Sequence, residues 1–245
     1  MNELIFSAIL FFIGIITSFI NAMAGGGSVL TLGVMMLMGI DGAVANGTNR
    51  IGILLGAISG VLAYRTEKYS NIKLSLIFGL WAIPGAIIGS LTAVNVSNAL
   101  FQKILAVVMI FVLATLFIPK RMTDGVNKKQ LRFLVYPALF LIGLYAGFIQ
   151  AGVGFLLMAA LRHFLGMNLV RVNMHKLFIT MVFSVPAIIV FSLNGKIIWF
   201  YAVSLAAGNL IGSWVSVKFS IKKGEKAIKI VLAVAMALMA AKFLF

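Results

Sequence analysis

The stretch FINAMAGGGSVLTLG, Phe19 to Gly33, decides how the chain is read. Gly25, Gly26 and Gly27 interrupt an otherwise apolar run. A plain bilayer-spanning helix has no need of them, and a helix in water is weakened by them, because glycine loses the most backbone freedom on ordering. Around this stretch the chain is 62% hydrophobic, with a mean hydropathy of +1.14 and only 10% charged residues. An ordinary soluble domain carries about 25% charged residues. The apolar residues lie in long blocks with nearly all charges between them, the pattern of an all-α polytopic membrane protein. Cysteine is absent, which excludes disulfides and thiol chemistry.

The glycine stretch recurs. One constant offset lays Ala24-Gly25-Gly26-Gly27 on Ala151-Gly152-Val153-Gly154, Gly39 on Gly166, Asp41 on Asn168 and Asn46 on Asn173. After a loop that is shorter in the second half, PGAIIGS (Pro84 to Ser90) falls on AGNLIGS (Ala207 to Ser213). Each half holds five apolar segments: 4–24, 28–40, 44–64, 73–93 and 98–118, then 133–151, 154–166, 170–193, 197–216 and 227–245. The organisation expected is a first repeat at 1–118, a basic cytoplasmic linker at 119–132 and a second repeat at 133–245. The second segment of each half, at roughly 20 Å of helix, is too short to cross a ~30 Å core. It is expected to be a short element, either spanning with help from its neighbours or forming one arm of a re-entrant hairpin.

Charge tests the topology. The formal net charge of +15 reads as topology anchors facing membrane lipids, not as a nucleic-acid surface. With ten segments and both termini outside, the loops at 65–73, 119–132, 162–171 and 217–229 all face the cytoplasm and hold fifteen of the twenty Lys and Arg. Five segments per half is an odd number, so the halves enter the membrane in opposite orientations, the signature of an inverted-repeat transporter. Ala22-Met23-Ala24 matches a signal-peptidase site, but the first residues carry Glu3 and no cation, so cleavage is not expected.

Non-helical backbone at membrane depth survives only where it is buried in protein or lines a watery cavity. The glycine runs, with Ser28 opening the next helix and Gly152 and Gly154 as counterparts, therefore read as tips that can aim backbone N–H groups at a ligand. The competing reading is a tight turn packed on a neighbour. Asp41 and Asn168 are equivalent N-caps. Arg50 then lies about 13 Å, and Lys176 about 12 Å, into their helices. Polar residues surround both: Asn46, Thr48 and Asn49 in one half, Asn173 and His175 in the other. The five acids, Glu3, Asp41, Glu67, Asp124 and Glu225, all fall near segment ends or in loops. Intramembrane cations are functional suspects, and two without carboxylates suggest an anion site. The competing readings are snorkelling to the headgroups and pairing with helix C-terminal carbonyls. His163 reads as a loop residue; His175 could be proton-linked.

Gly52, Gly56 and Gly60, with Gly85/Gly89 and Gly208/Gly212, form small helix faces. Packing inside the bundle is favoured for them, and a homodimer stays open. An intramembrane enzyme would need paired carboxylates, a metal set or a nucleophile with its base, and the sequence provides none. No cofactor is expected.

At these residues the chain resembles the sulfite exporter TauE/SafE family of membrane transporters, over nearly its whole length. The resemblance rests on AGGGS, on Ala45-Asn46-Gly47-Thr48, on PGAIIGS, and on the echoes QAGVGF (from Gln150) and AGNLIGS. Many members carry a proline beyond the glycines where Thr31-Leu32-Gly33 has none, and a serine where Asn49 stands; Val153 breaks the second glycine run. The resemblance implies a cytoplasmic-membrane carrier of small anions such as sulfite, sulfoacetate, other organosulfonates or carboxylates. The reading is a secondary transporter that exports a small oxyanion by alternating access, with an anion channel or a carboxylate carrier as the alternative. The candidate binding residues are Gly25, Gly26, Gly27, Ser28, Asn46, Thr48, Asn49, Arg50, Gln150, Gly152, Gly154, Asn173, His175 and Lys176.

Overall fold

The computed structural model describes residues 3–69, 71–104, 107 and 132–244, without the side chains of 225, 229 and 232–244. The described residues are helical with no strand. The helices are α1 (Glu3–Met23), α2 (Gly27–Leu37), α3 (Gly42–Thr66), α4 (Ile72–Val94), α5 (Val135–Phe148, entered through a short 3₁₀ turn), α6 (Val153–Leu165), α7 (Leu169–Leu193) and α8 (Trp199–Leu244). Gly224, at φ 70° and ψ −163°, breaks α8 into two arms, as the segments at 197–216 and 227–245 anticipate. Helical backbone also runs from 98 to 104. The rest of that fifth segment, apart from residue 107, and the linker through 131 lie outside the described residues.

Among the described residues four helices are long and apolar enough to cross a membrane: α1, α4, α7 and the first arm of α8. Helix α3 has 25 residues but is more polar, because it carries Asn46, Thr48, Asn49 and Arg50. Helices α2 and α6 have 11 and 13 residues, the short second elements expected of each half.

The breaks before the short helices are made by backbone that glycine permits. Gly25 sits at φ 97° and its counterpart Gly152 at φ 71°, in the left-handed region. Gly39 and Gly166, and Lys68 and Gly195, also have positive φ, and all three pairs share the offset that lays Ala24 on Ala151. The first break caps α2 with Gly26, placing Ser28 within the first turn. Asn168 caps α7, its side chain accepting from Arg171 N at 2.9 Å. Asp41 holds the N-cap position of α3 without capping it. Asn98 takes that role, accepting from Gly42 N at 2.9 Å and donating to Asp41 Oδ1 at 2.9 Å. With a neighbouring amide already on that N–H, the carboxylate is left to anchor the amide.

Packing between the helices is reciprocal. Helix α1 lies along the first arm of α8, and α5 lies along α4. Helix α3 packs on α8, α7 packs on α4, and α3 packs on α7 across the middle. Small residues set these approaches. A Cβ on Gly208 or Gly212 would stand 2.1 Å from the carbonyls of Phe11 or Ile15 in α1. One on Gly85 or Gly89 would meet the carbonyls of Phe140 or Leu144 in α5 equally closely. Gly52, Gly56 and Gly60 face Asn209, Ser18 and Ser213. These faces therefore pack within the bundle, where close backbone approach replaces the missing hydrophobic drive.

The two glycine breaks touch each other. A Cβ on Gly154 would lie 2.2 Å from Gly25 Cα, and one on Gly25 would lie 2.3 Å from Gly154 C. Gly166, in contrast, has open space around it. Gly154→Ala must displace backbone and is expected to cost about 1–3 kcal/mol, against about 1–2 kcal/mol of left-handed strain for Gly166→Ala. Paired melts of detergent-purified variants check this, with Gly154→Ala melting at the lower temperature. Asn168→Ala is expected to lose about 1 kcal/mol of capping energy, read in the same assay.

Candidate functional site

The centre of the molecule is where α1 and α5 end, and each C-terminus is held by α3 or α7. Asn46 Nδ2 donates to Phe148 O at 2.8 Å, and Asn173 Nδ2 donates to Met23 O at 3.0 Å. One turn further along α3, Arg50 Nη2 donates to Ala146 O at 2.9 Å and Gly147 O at 2.5 Å. On α7, Lys176 Nζ donates to Asn21 O at 2.9 Å and Ala22 O at 2.8 Å. Each broken helix therefore ends on an amide and a cation from the other half of the chain.

Both cations are interior. Arg50 is 0% exposed and Lys176 is 2% exposed, so neither snorkels. Among the described residues neither has a carboxylate partner; the ion pair that is present joins Lys218 to Glu67 at a rim. The counter-charge is the carbonyl end of a helix, equivalent to about half an elementary charge. A central cation costs at least ~2.5–3.5 kcal/mol, and hydrogen bonds to charged groups contribute about 1.5–3 kcal/mol each. Two or three such bonds offset the insertion cost, but half a positive charge remains at each helix end. Pairing with C-terminal carbonyls is thus what these cations do, and it leaves them electropositive.

The surroundings of the two cations differ. Arg50 also donates through Nη1 to Gln150 Oε1 at 3.0 Å, and its guanidinium lies 4.5 Å above the Phe191 ring. Lys176 borders a cavity of about 20 Å³ that Ser28, Gln150 and Gly154 also line, a little above the ~10–15 Å³ that one water needs. Two of the ammonium's three protons are held by carbonyls, and a further contact is to the weak acceptor Met158 Sδ at 3.9 Å. Gln150 Nε2 and Ser213 Oγ, on residues that line the cavity, are buried without a partner among the described residues.

The structure brings together Gly25, Gly152 and Gly154 at the two breaks, and Ser28, Gln150, Gly154 and Lys176 around the cavity. Gly27 packs against α1, where a Cβ would strike Thr17 O at 1.8 Å; Gly26 is the cap between. Asn46 and Asn173 clamp helix ends rather than line the cavity. Asn49 is buried with neither polar side-chain atom paired among the described residues. Thr48 is turned to the start of α8, where its Oγ1 accepts from Ile198 N at 3.0 Å. His175 lies elsewhere, its Nδ1 2.7 Å from Ser75 Oγ and its ring against Phe78.

Sequence reasoning missed Ser18, Asn21, Thr180 and Ser213, which complete the polar lining. Ser213 ends AGNLIGS, whose alignment, packing glycines and family resemblance do not single out the serine. A hydroxyl or amide amid apolar residues was the available signal, weak because a serine can bond its own helix, as Ser90 Oγ does to Ala86 O at 2.8 Å.

The chain matches the family model described as Sulfite exporter TauE/SafE over residues 10–243. It is 29% identical over 241 residues to a probable membrane transporter protein of Haemophilus influenzae, covering 97% of this chain and 94% of that one. A probable membrane transporter protein, ORF9, of Sinorhizobium sp is 28% identical over 238 residues, covering 96% and 91%. The probable membrane transporter protein YfcA of Escherichia coli K12 is 26% identical over 242 residues, covering 97% and 89%. No solved structure matches. Apolar helices long enough to span, broken helices meeting at the interior and a match over nearly the whole length agree: this chain belongs to the sulfite exporter TauE/SafE family of multi-pass membrane transporters.

Proposed function

We propose that the protein is a secondary transporter that exports a small oxyanion, such as sulfite, sulfoacetate or a related organosulfonate, across the cytoplasmic membrane. The observation that carries this is the Lys176 ammonium beside a cavity at the meeting point of two broken helices, with no carboxylate partner among the described residues. An anion placed there would take the third ammonium proton and supply the missing negative charge. Ser28 and Gly154, in the first turns of α2 and α6, would add the positive ends of two helix dipoles. An export direction suits the charge, since an inside-negative potential drives an anion outward by ~2.3 kcal/mol per charge per 100 mV.

Two opposed five-segment repeats explain the reciprocal packing, the three positive-φ pairs at one common spacing and the crossed clamps on α1 and α5. In that topology both termini lie outside and the basic loops face the cytoplasm. The cavity is lined by residues of both halves, so motion of one half against the other would open and close it. Alternating access supplies that motion by rocking one half against the other about the contact at Gly25 and Gly154.

The test is flux in proteoliposomes. Lys176→Gln keeps hydrogen-bond donors for the α1 carbonyls but removes the charge, and is expected to lower sulfite or sulfoacetate flux at least about tenfold, the effect of losing about 1.4 kcal/mol of binding. Arg50→Gln is expected to lower it too, through the α5 clamp. Wild-type flux in both variants would remove the anion-site reading. Counterflow by a preloaded anion, with saturation at low turnover, is expected of a carrier; continuous conductance would identify a channel instead.

A further inference from the structure

Gln150 lies in the bend between α5 and Gly152, is 2% exposed, and borders the cavity. Both ends of this residue are held by α3. Its backbone N–H donates to Asn46 Oδ1 at 3.4 Å, and its side-chain oxygen accepts from Arg50 Nη1 at 3.0 Å. A guanidinium has donors and no acceptor. The carboxamide can therefore face Arg50 only with its oxygen, and the nitrogen must be on the other side. That nitrogen, Nε2, has no partner among the described residues. Arg50 has little freedom to release the amide, because Nη2 bonds two α5 carbonyls and Phe191 covers the plane.

We infer that Arg50 is a positioning residue that fixes the polarity of Gln150, so that the bend presents an N–H donor to a hydrogen-bond-accepting oxyanion held by Lys176. Arg50 acts through the amide and does not touch the anion. The site then combines the third proton of Lys176, the Nε2 group and the Ser213 hydroxyl, two of them otherwise unpaired. It selects a ligand that offers bare oxygen atoms on the Gln150 side and rejects ammonium compounds, which can only donate. This rests on the proposed transport reading and names the recognition chemistry of that same site.

Gln150→Glu tests it in the full-length protein. The carboxylate keeps the shape of glutamine and strengthens the bond to Arg50, but places an acceptor where the N–H was. Sulfite and sulfoacetate binding to the purified protein is measured by thermal shift over a concentration series, alongside counterflow in proteoliposomes. Gln150→Glu is expected to keep or raise the ligand-free melting temperature and to weaken binding of both anions at least about tenfold, within the range for a lost hydrogen bond to a charged group. Gln150→Met, similar in length but without donor or acceptor, is expected to weaken binding several-fold. It is read by itself if the glutamate variant fails to fold. Arg50→Lys keeps the charge but lacks the fork that reaches the amide and both carbonyls, and is expected to raise KM more than it lowers maximal flux. Binding by Gln150→Glu, or by Gln150→Met where the former is unfolded, within twofold of wild type overturns this inference alone. If wild type neither binds nor exchanges sulfite or sulfoacetate, the transport reading falls and the inference with it.

Discussion

The structure depends on two helices that end inside the protein. A helix end leaves carbonyls without intrahelical donors, and in a low-dielectric interior each unpaired group costs several kcal/mol. Here the donors come from the opposite half of the chain: Asn46 and Arg50 for α5, Asn173 and Lys176 for α1. The exchange is mutual: each half supplies side-chain donors to the break in the other. That dependence explains why α3 and α7 lie against each other at the centre. It also explains how two cations are stable in an interior with no carboxylate beside them among the described residues, because the helix ends supply the negative potential.

Close backbone contact is the second constraint. The clamps reach only if α1 and α5 approach within a side chain's length of α7 and α3, and the breaks can meet only without Cβ atoms. Gly25 and Gly154 meet this at the centre, and Gly14, Gly85, Gly89, Gly143, Gly147, Gly208 and Gly212 along the paired helices. Such contacts replace apolar burial, since lipid tails solvate apolar side chains as well as the core does. They also form a smooth surface on which one unit could slide or rock without unlocking large side chains, which the proposed motion requires.

Much of this was legible in the sequence. Apolar block length located the described helices to within a few residues, apart from the α8 arm that runs on to Gly224, and Gly25 and Gly152 marked their breaks because few other residues tolerate that backbone. Arg50 and Lys176 stood out because a buried cation is costly. Direction was not legible. Nothing in the spacing tells that Arg50 turns to the α5 carbonyls and Gln150, or that Thr48, close to the clamp in sequence, faces Ile198. Asp41 has the chemistry of an N-cap, yet Asn98, far along the chain, supplies the bond to Gly42. His175, adjacent to Lys176 in sequence, points to Ser75 because successive residues on a helix face about 100° apart. Side-chain direction depends on which helices become neighbours, and that is a tertiary property.

The asymmetry between the two cations has a source in the same numbering that relates the halves. The offset that lays Ala24 on Ala151 carries the cavity positions Asn21, Ser28 and Gly56 onto Phe148, Phe155 and Phe183. Around Lys176 these positions are small or polar and leave room; their counterparts in sequence are aromatic, and a further ring, Phe191, covers the Arg50 guanidinium. A buried donor without an acceptor is destabilising, by about 1–3 kcal/mol, and packing normally removes it. The Arg50 guanidinium lies under Phe191 and bonds the Gln150 oxygen and two carbonyls, with Nε unpaired among the described residues. On the Lys176 side the cavity keeps Gln150 Nε2 and Ser213 Oγ without partners. Unsatisfied donors thus remain on residues that line the cavity bordering Lys176. The anion of the proposed transport reading would relieve several of those deficits at once, so the interaction that would bind it is one the protein's own polar groups would supply.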